Sequence, residues 1–149
     1  MRKFEIVKKE FIKYDSNEIN LPQRSTKHSV CYDFYSPITI TLPAHKITLV
    51  WSNVKAIFNE NEGLILATRS SMGAKGIMLA NGIGIIESDY ANNPSNDGNL
   101  GFLFFNTNDT DYVINKGDKM GQGMFINFLT IDNEEDILEN RKGGFGSTN

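Results

Sequence analysis

The chain has 149 residues, of which 40% are hydrophobic and 22% charged, the size and mix of one globular domain that buries a core without staples. Its formal net charge of −3 argues against an electrostatic grip on a nucleic-acid backbone, which calls for a basic footprint, and no apolar run approaches the length of a membrane span. A single cysteine, Cys31, excludes an internal disulfide, and no secretion-signal core follows Met1-Arg2-Lys3-Phe4-Glu5, so a reducing cytoplasm is the expected compartment.

In chain order, apolar residues that alternate with polar ones or run together predict strands over residues 4–12, 30–35, 47–51, 57–67, 77–86, 100–105 and 124–131. Turn clusters separate them: Asn59-Glu60-Asn61-Glu62-Gly63, Asn92-Asn93-Pro94-Ser95-Asn96-Asp97-Gly98 and Asn115-Lys116-Gly117-Asp118. One helical turn is expected over residues 70–75, with serine hydroxyls placed to cap it. Many short strands at this spacing point to a closed or double-sheet all-β architecture. Residues 140–149 are glycine, serine and threonine around one aromatic, a composition that buries little and predicts a flexible tail.

Several segments bear on chemistry. Arg69-Ser70-Ser71 stands where a strand ends and a helical turn begins, so its hydroxyls and N–H groups are placed either to hold an anion beside Arg69 or simply to cap the turn, the commoner arrangement. The run Asn81-Gly82-Ile83-Gly84-Ile85-Ile86-Glu87-Ser88-Asp89-Tyr90 sets two glycines and two carboxylates about an apolar strand. That pattern suits either a ligand approached by bare backbone, with a carboxylate base and an aromatic face for a sugar, or a bulge before a solvated acidic turn. Gly117-Asp118-Lys119-Met120-Gly121-Gln122 by itself predicts a hairpin turn. Gly143-Gly144-Phe145-Gly146-Ser147-Thr148 lacks the lysine of a Walker A loop, and suits a lid whose aromatic stacks on a base. His28 and His45 have no ligand-spaced partners and read as surface residues, and Cys31 reads as a buried structural thiol.

Each segment is weak alone, but in order Val30-Cys31-Tyr32-Asp33, Arg69-Ser70-Ser71, Gly84-Ile85-Ile86-Glu87-Ser88-Asp89-Tyr90, Gly117-Asp118-Lys119-Met120-Gly121-Gln122 and Gly143-Gly144-Phe145-Gly146-Ser147-Thr148 closely resemble the five motifs of the trimeric dUTPase family. The resemblance spans residues 30–149. It implies an all-β, distorted jelly-roll-like fold with one short helical segment, a β domain over residues 1–139 and a glycine-rich lid over 140–149. It further implies a homotrimer in which each tail closes over a neighbour's site, and Mg²⁺-assisted hydrolysis of dUTP to dUMP and pyrophosphate. By position, Glu87 would orient the attacking water, while Gly84, Gly101 and nearby Asn81 would read uracil and Tyr90 would pack under deoxyribose. Arg69, Ser70, Ser71 and Gln122 would meet phosphates, and Asp33 would support hydrated Mg²⁺ through water. Phe145 would stack on uracil, with Arg141, Gly146, Ser147 and Thr148 closing on the distal phosphates.

The chain departs from that pattern in places. Glu87 stands where the family carries Asp, and one added methylene matters where displacements of about 1 Å slow catalysis. Arg141 is one residue nearer the Gly-Gly-Phe run, Cys31 and Asn149 replace glycines, and residues 91–98 lengthen a tight turn into what reads as a surface elaboration. Two other functions compete with hydrolysis: a dUTP-binding regulatory protein of the same fold with weak turnover, and a dCTP deaminase, against which residues 100–106 offer no acidic proton shuttle.

Overall fold

The computed structural model describes residues 1–137, 141–146 and 148. Its elements are β1 (Lys3–Ile6), β2 (Tyr32–Tyr35), β3 (Ile40–Leu42), β4 (Ile47–Trp51), β5 (Val54–Ile57), β6 (Glu62–Ala67), the helical turn α1 (Ser70–Gly73), β7 (Ile77–Leu79), β8 (Gly84–Glu87), β9 (Gly101–Asn106), β10 (Tyr112–Ile114) and β11 (Lys119–Asn127), with 3-10 turns at Lys9–Phe11 and Ser88–Tyr90. Strands order as β2-β11-β6-β8 in one sheet and β4-β9-β7 in another, flanked by the ribbons β1-β5 and β3-β10. This is the expected jelly-roll-like all-β fold with one short helix.

The two larger sheets meet through aromatic rings. Along β9 the burial alternates, turning Phe102, Phe104 and Asn106 inward, as the period-two pleat requires. Phe102 stacks on Phe104 at 6.0 Å, and Phe34 of β2 meets Phe102 edge-on at 5.2 Å, joining one sheet to the other. All three rings are fully buried, so truncating any of them costs about 3–5 kcal/mol. Gly121 lets β11 approach this cluster, because a Cβ there would stand 2.6 Å from Phe102 Cδ1.

Local structure departs from the sequence reading at identifiable places. The stretch 57–67 divides at a turn closed by Glu62 N–H to the Asn59 carbonyl at 3.0 Å, and 77–86 divides where Gly82 N–H reaches the Leu79 carbonyl at 3.0 Å. Of residues 4–12, the first three belong to β1, which begins at Lys3, and a 3-10 turn follows at Lys9–Phe11. The motif 117–122 is mostly strand, since β11 begins at Lys119 and the turn lies before it. β11 also ends at Asn127, short of the expected 131. In α1 the N-cap is Arg69 without any side-chain cap bond, so the serines do not cap it.

The segment 91–98 is no mere surface elaboration. Asn93 and Asp97 are buried, and Lys55 Nζ, itself in the core, meets Asp97 Oδ2 at 2.9 Å and Asn92 Oδ1 at 2.7 Å. The backbone N–H of Lys8 donates to Asp97 Oδ2 at 2.8 Å. Burial works to raise the Asp97 carboxyl, but the Lys8 N–H and the Lys55 ammonium outweigh it and hold it below the usual carboxylate value.

Candidate active site

Strand register assembles a cationic cleft. Gln122 on β11 stands opposite Asp33 on one side and Ala67 on the other, so the end of β6 delivers Arg69 next to Asp33. Arg69 Nε meets Asp33 Oδ1 at 3.1 Å, while Asp33 Oδ2 takes Ser25 Oγ at 2.5 Å and Lys119 Nζ at 3.2 Å. Burial pushes the Asp33 carboxyl up, yet the Ser25 and Lys119 hydrogen bonds and the Arg69 and Lys119 charges bring it below its ordinary value. Gln122 Nε2 donates to the Thr68 carbonyl at 3.1 Å and is thereby held at the rim. Ser70, Ser71 and Gln122 line this cleft with Asp33 and Arg69. Cys31 lines it too, half-buried rather than buried, with its thiol pushed up by burial and by the nearby Asp33 charge.

A second, more apolar pocket opens along β8. That strand is the edge of its sheet, so its outer N–H and C=O groups have no strand neighbour and offer alternating donors and acceptors. Asn81, Gly84, Glu87, Tyr90 and Gly101 line the pocket together with Arg141, Gly144 and Phe145 of the tail. Tyr90 is buried and Glu87 exposed. The Tyr90 hydroxyl is raised by burial against an opposing hydrogen bond from Asn96.

The tail, expected to bury little on its own chain, does touch it at a few places. Arg141 Nη2 meets Glu87 Oε2 at 2.9 Å and Nε meets Asp89 Oδ1 at 2.8 Å. Arg141 thus lies on the carboxylates rather than in the cationic cleft. Burial alone would lower its pKa, but the Asp89 hydrogen bond and both carboxylate charges raise it. Phe145 sits edge-on to Trp51 at 5.8 Å. Gly144 packs so close that a Cβ would come 2.7 Å from Tyr90 Cε2. Gly146 and Thr148 are exposed, and Ser147, like Asn149, lies outside the described residues.

Within one chain the two pockets share no lining residue. Glu87 pairs with Gly63 on β6, and Arg69 follows six residues later (63 to 69) past the other end of that strand. At about 3.3 Å per residue the separation is roughly 20 Å.

The profile of the dUTPase family matches residues 17–149. The chain belongs to the dUTPase family. It is 40% identical over 150 residues to deoxyuridine 5′-triphosphate nucleotidohydrolase of Lactococcus lactis subsp. lactis (strain IL1403), covering 99% of this chain and 97% of that one. It is 30% identical to the mitochondrial enzyme of that name from Dictyostelium discoideum, covering 92% of this chain and 75% of the relative. The crystal structure of dUTPase from Streptococcus mutans matches with a TM-score of 0.77 at 35% identity, over 87% of this chain and 98% of that one. The dUTPase from phage phi11 of S. aureus, at 18% identity and a TM-score of 0.72 over 91% of this chain and 96% of that one, shares the fold. This dUTPase is a hydrolase acting on a phosphoric anhydride.

Sequence reasoning passed over Ser25, Lys119 and Trp51. Lys119 lies inside a quoted motif, and only the strand character of residues 119–122 turns it toward Asp33. Ser25 comes from irregular chain and carries no sequence signal. The histidines are exposed as expected, though His45 Nε2 lies 2.7 Å from Asp109 Oδ1. No helix among the described residues is long and apolar enough to cross a membrane.

Proposed function

We propose that this dUTPase hydrolyses dUTP to dUMP and pyrophosphate by Mg²⁺-assisted attack of water on the α-phosphorus, in a site that copies of the chain complete for one another as a homotrimer in the cytoplasm. The observation that carries this reading is that the two pockets share no lining residue, with Glu87 opposite Gly63 and Arg69 six residues on, roughly 20 Å along the main chain. A carboxylate and a phosphate clamp in separate pockets suit one nucleotide held between one chain's β8 pocket and another chain's cationic cleft.

In that arrangement the open edge of β8 about Gly84, with Gly101 and Asn81, pairs with uracil, and cytosine inverts the pattern and leaves buried groups unpaired. Tyr90 lies under deoxyribose and leaves no room for a 2′-hydroxyl. Arg69, Ser70, Ser71 and Gln122 take the phosphates, Glu87 orients the water, and residues 140–149 form the lid whose Phe145 leaves Trp51 to cover the base. Arg141, Gly146, Ser147 and Thr148 are assigned to the closed lid.

Both Asp33 oxygens are engaged by Arg69, Ser25 and Lys119, and no group of three or more metal-ligating side chains occurs among the described residues. This donor set fits Mg²⁺ carried in on the triphosphate with waters retained, Asp33 acting through water. The ion would supply charge neutralisation on the phosphates.

The test is pyrophosphate release from dUTP, dCTP, dTTP and UTP with and without Mg²⁺, beside the mass of the particle in solution. Turnover confined to dUTP, dependent on Mg²⁺, in a particle of three chains is expected. A monomer, or indifference to dUTP, overturns the reading. A second reading, a dUTP-binding regulator with weak turnover, draws on Glu87 and on its contact with Arg141 at 2.9 Å, which engages one carboxylate oxygen. Tight dUTP binding with negligible turnover that Glu87→Asp rescues would establish it.

A further inference from the structure

Residues 91–98 take no part in the chemistry above, yet their side chains converge on Tyr90. The Tyr90 hydroxyl donates to the Asn99 carbonyl at 2.7 Å and accepts from Asn96 Nδ2 at 2.8 Å. Asn96 is itself held, since its Oδ1 accepts from Asn93 Nδ2 at 2.6 Å and from the Gly98 N–H at 3.0 Å. Asn93 Nδ2 also donates to the Tyr90 carbonyl at 2.7 Å, and its Oδ1 accepts from the Ser95 N–H at 3.0 Å and the Asn96 N–H at 3.2 Å. The Lys55–Asp97 pair anchors the far end in the core. The loop is thus a brace with one end in the protein interior and the other on the tyrosine hydroxyl.

A ring discriminates against a hydroxyl group only if it cannot swing aside when that group arrives, and an aromatic side chain is free to do so when packing alone holds it. Two hydrogen bonds at the para position, one from the brace and one to main chain, remove that freedom. We propose that Asn96 is a positioning residue for sugar selection, fixing Tyr90 so that a ribonucleotide is refused where a deoxyribonucleotide is admitted. The inference rests on the reading of Tyr90 under deoxyribose given above.

Asn96→Asp keeps shape and the Oδ1 acceptor but removes the N–H that reaches Tyr90, and Asn96→Ala removes both. The measurement is kcat/KM for dUTP and for UTP, with Tm recorded for each variant. The dUTP over UTP preference falls roughly tenfold in both, about the worth of one buried hydrogen bond, chiefly by gain of UTP turnover. In a Tyr90→Phe background Asn96→Asp adds nothing further, because the atom through which it acts is gone. Ser95→Ala removes only the Ser95 Oγ bond to Asn93 Oδ1 at 2.9 Å, an oxygen still held by the Ser95 and Asn96 N–H groups, and leaves the preference unchanged.

An unaltered preference in both Asn96 variants, or equal losses on the two substrates that track a fall in Tm, overturns the proposal and makes the brace purely structural. A wild-type enzyme that turns over dUTP and UTP alike overturns it together with the Tyr90 reading. Failure of the wild type on dUTP is seen before any variant is made, and it removes the proposed function itself.

Discussion

Replacing Asp97 by Asn tests the anchor of the 91–98 segment. The Lys55 and Asp97 side chains are 6% and 1% exposed and meet at 2.9 Å. The amide leaves the Lys55 ammonium without the carboxylate it directly pairs with, keeping the Asn92 Oδ1 contact at 2.7 Å. Breaking a buried pair on one side costs about 3–5 kcal/mol, and a chain of this size loses about 2–4 °C of Tm per kcal/mol, so thermal unfolding at pH 7 should fall by roughly 10 °C. Adding Lys55→Met should recover most of the loss, because the pair as a whole contributes little beyond apolar packing.

The pH dependence follows from the same group. The folded-state pKa of Asp97 is lowered, so its stabilisation is present above the unfolded value near about 3.9 and is lost as pH falls through the folded value. The deficit of Asp97→Asn against wild type should therefore hold at neutral pH and shrink below about pH 4. Unfolding is followed by circular dichroism at fixed protein concentration, since the proposed assembly would make Tm concentration-dependent. A variant within about 1 kcal/mol of wild type at pH 7, well under the buried-pair cost, or a deficit that persists unchanged in acid, refutes the reasoning.

Gly121→Ala should destabilise by about 3 kcal/mol, the upper end for overpacking, since its Cβ meets the fully buried Phe102; chemical denaturation reads this directly. Glu87→Gln should lower kcat by about 10²–10⁴ while leaving the dUTP dissociation constant nearly unchanged, as measured by calorimetry beside a turnover assay. Deleting residues 143–149 should abolish turnover and leave the assembled particle intact on gel filtration; full activity in the truncated enzyme would show that the tail is no lid. Arg141→Ala and Asp89→Asn should be non-additive in kcat/KM by about 0.5–3 kcal/mol if the 2.8 Å contact between them persists during turnover, and strict additivity would separate them.

The legible parts of this fold are those written in local order. β4 and β9 are long enough for alternation to reveal them within a residue. β3 and β10 have three residues each, too few for any period, and they exist because they pair with each other. Motif order was sufficient to name Arg69, Gln122, Glu87, Tyr90 and Phe145 as candidates. It was silent on which of them share a pocket, because that depends on register, with Asp33, Gln122 and Ala67 in one row and Glu87 at the opposite end of β6. Partners distant in sequence stayed invisible for the same reason. Lys55 and Asp97 are 42 positions apart, and without that pairing a polar Asn-Pro-Ser segment reads as solvent-exposed. The contacts of Arg141 with Glu87 and Asp89 escape local order as well, because they exist only once β8 and the turn after it are placed.

If copies of the chain complete each site for one another as proposed, the separation of Arg69 beyond β6 from Glu87 on β8 changes what a damaged gene does. Chains bearing Arg69→Ala and chains bearing Glu87→Gln should each be inert alone. Mixed within one particle, they would still meet at some junctions with the sound end of one against the sound end of the other, and activity should return on co-refolding. In such an assembly a faulty chain beside a good one would also spoil junctions to which it contributes only half, a dominance that would follow from Glu87 and Arg69 lining separate pockets of one chain.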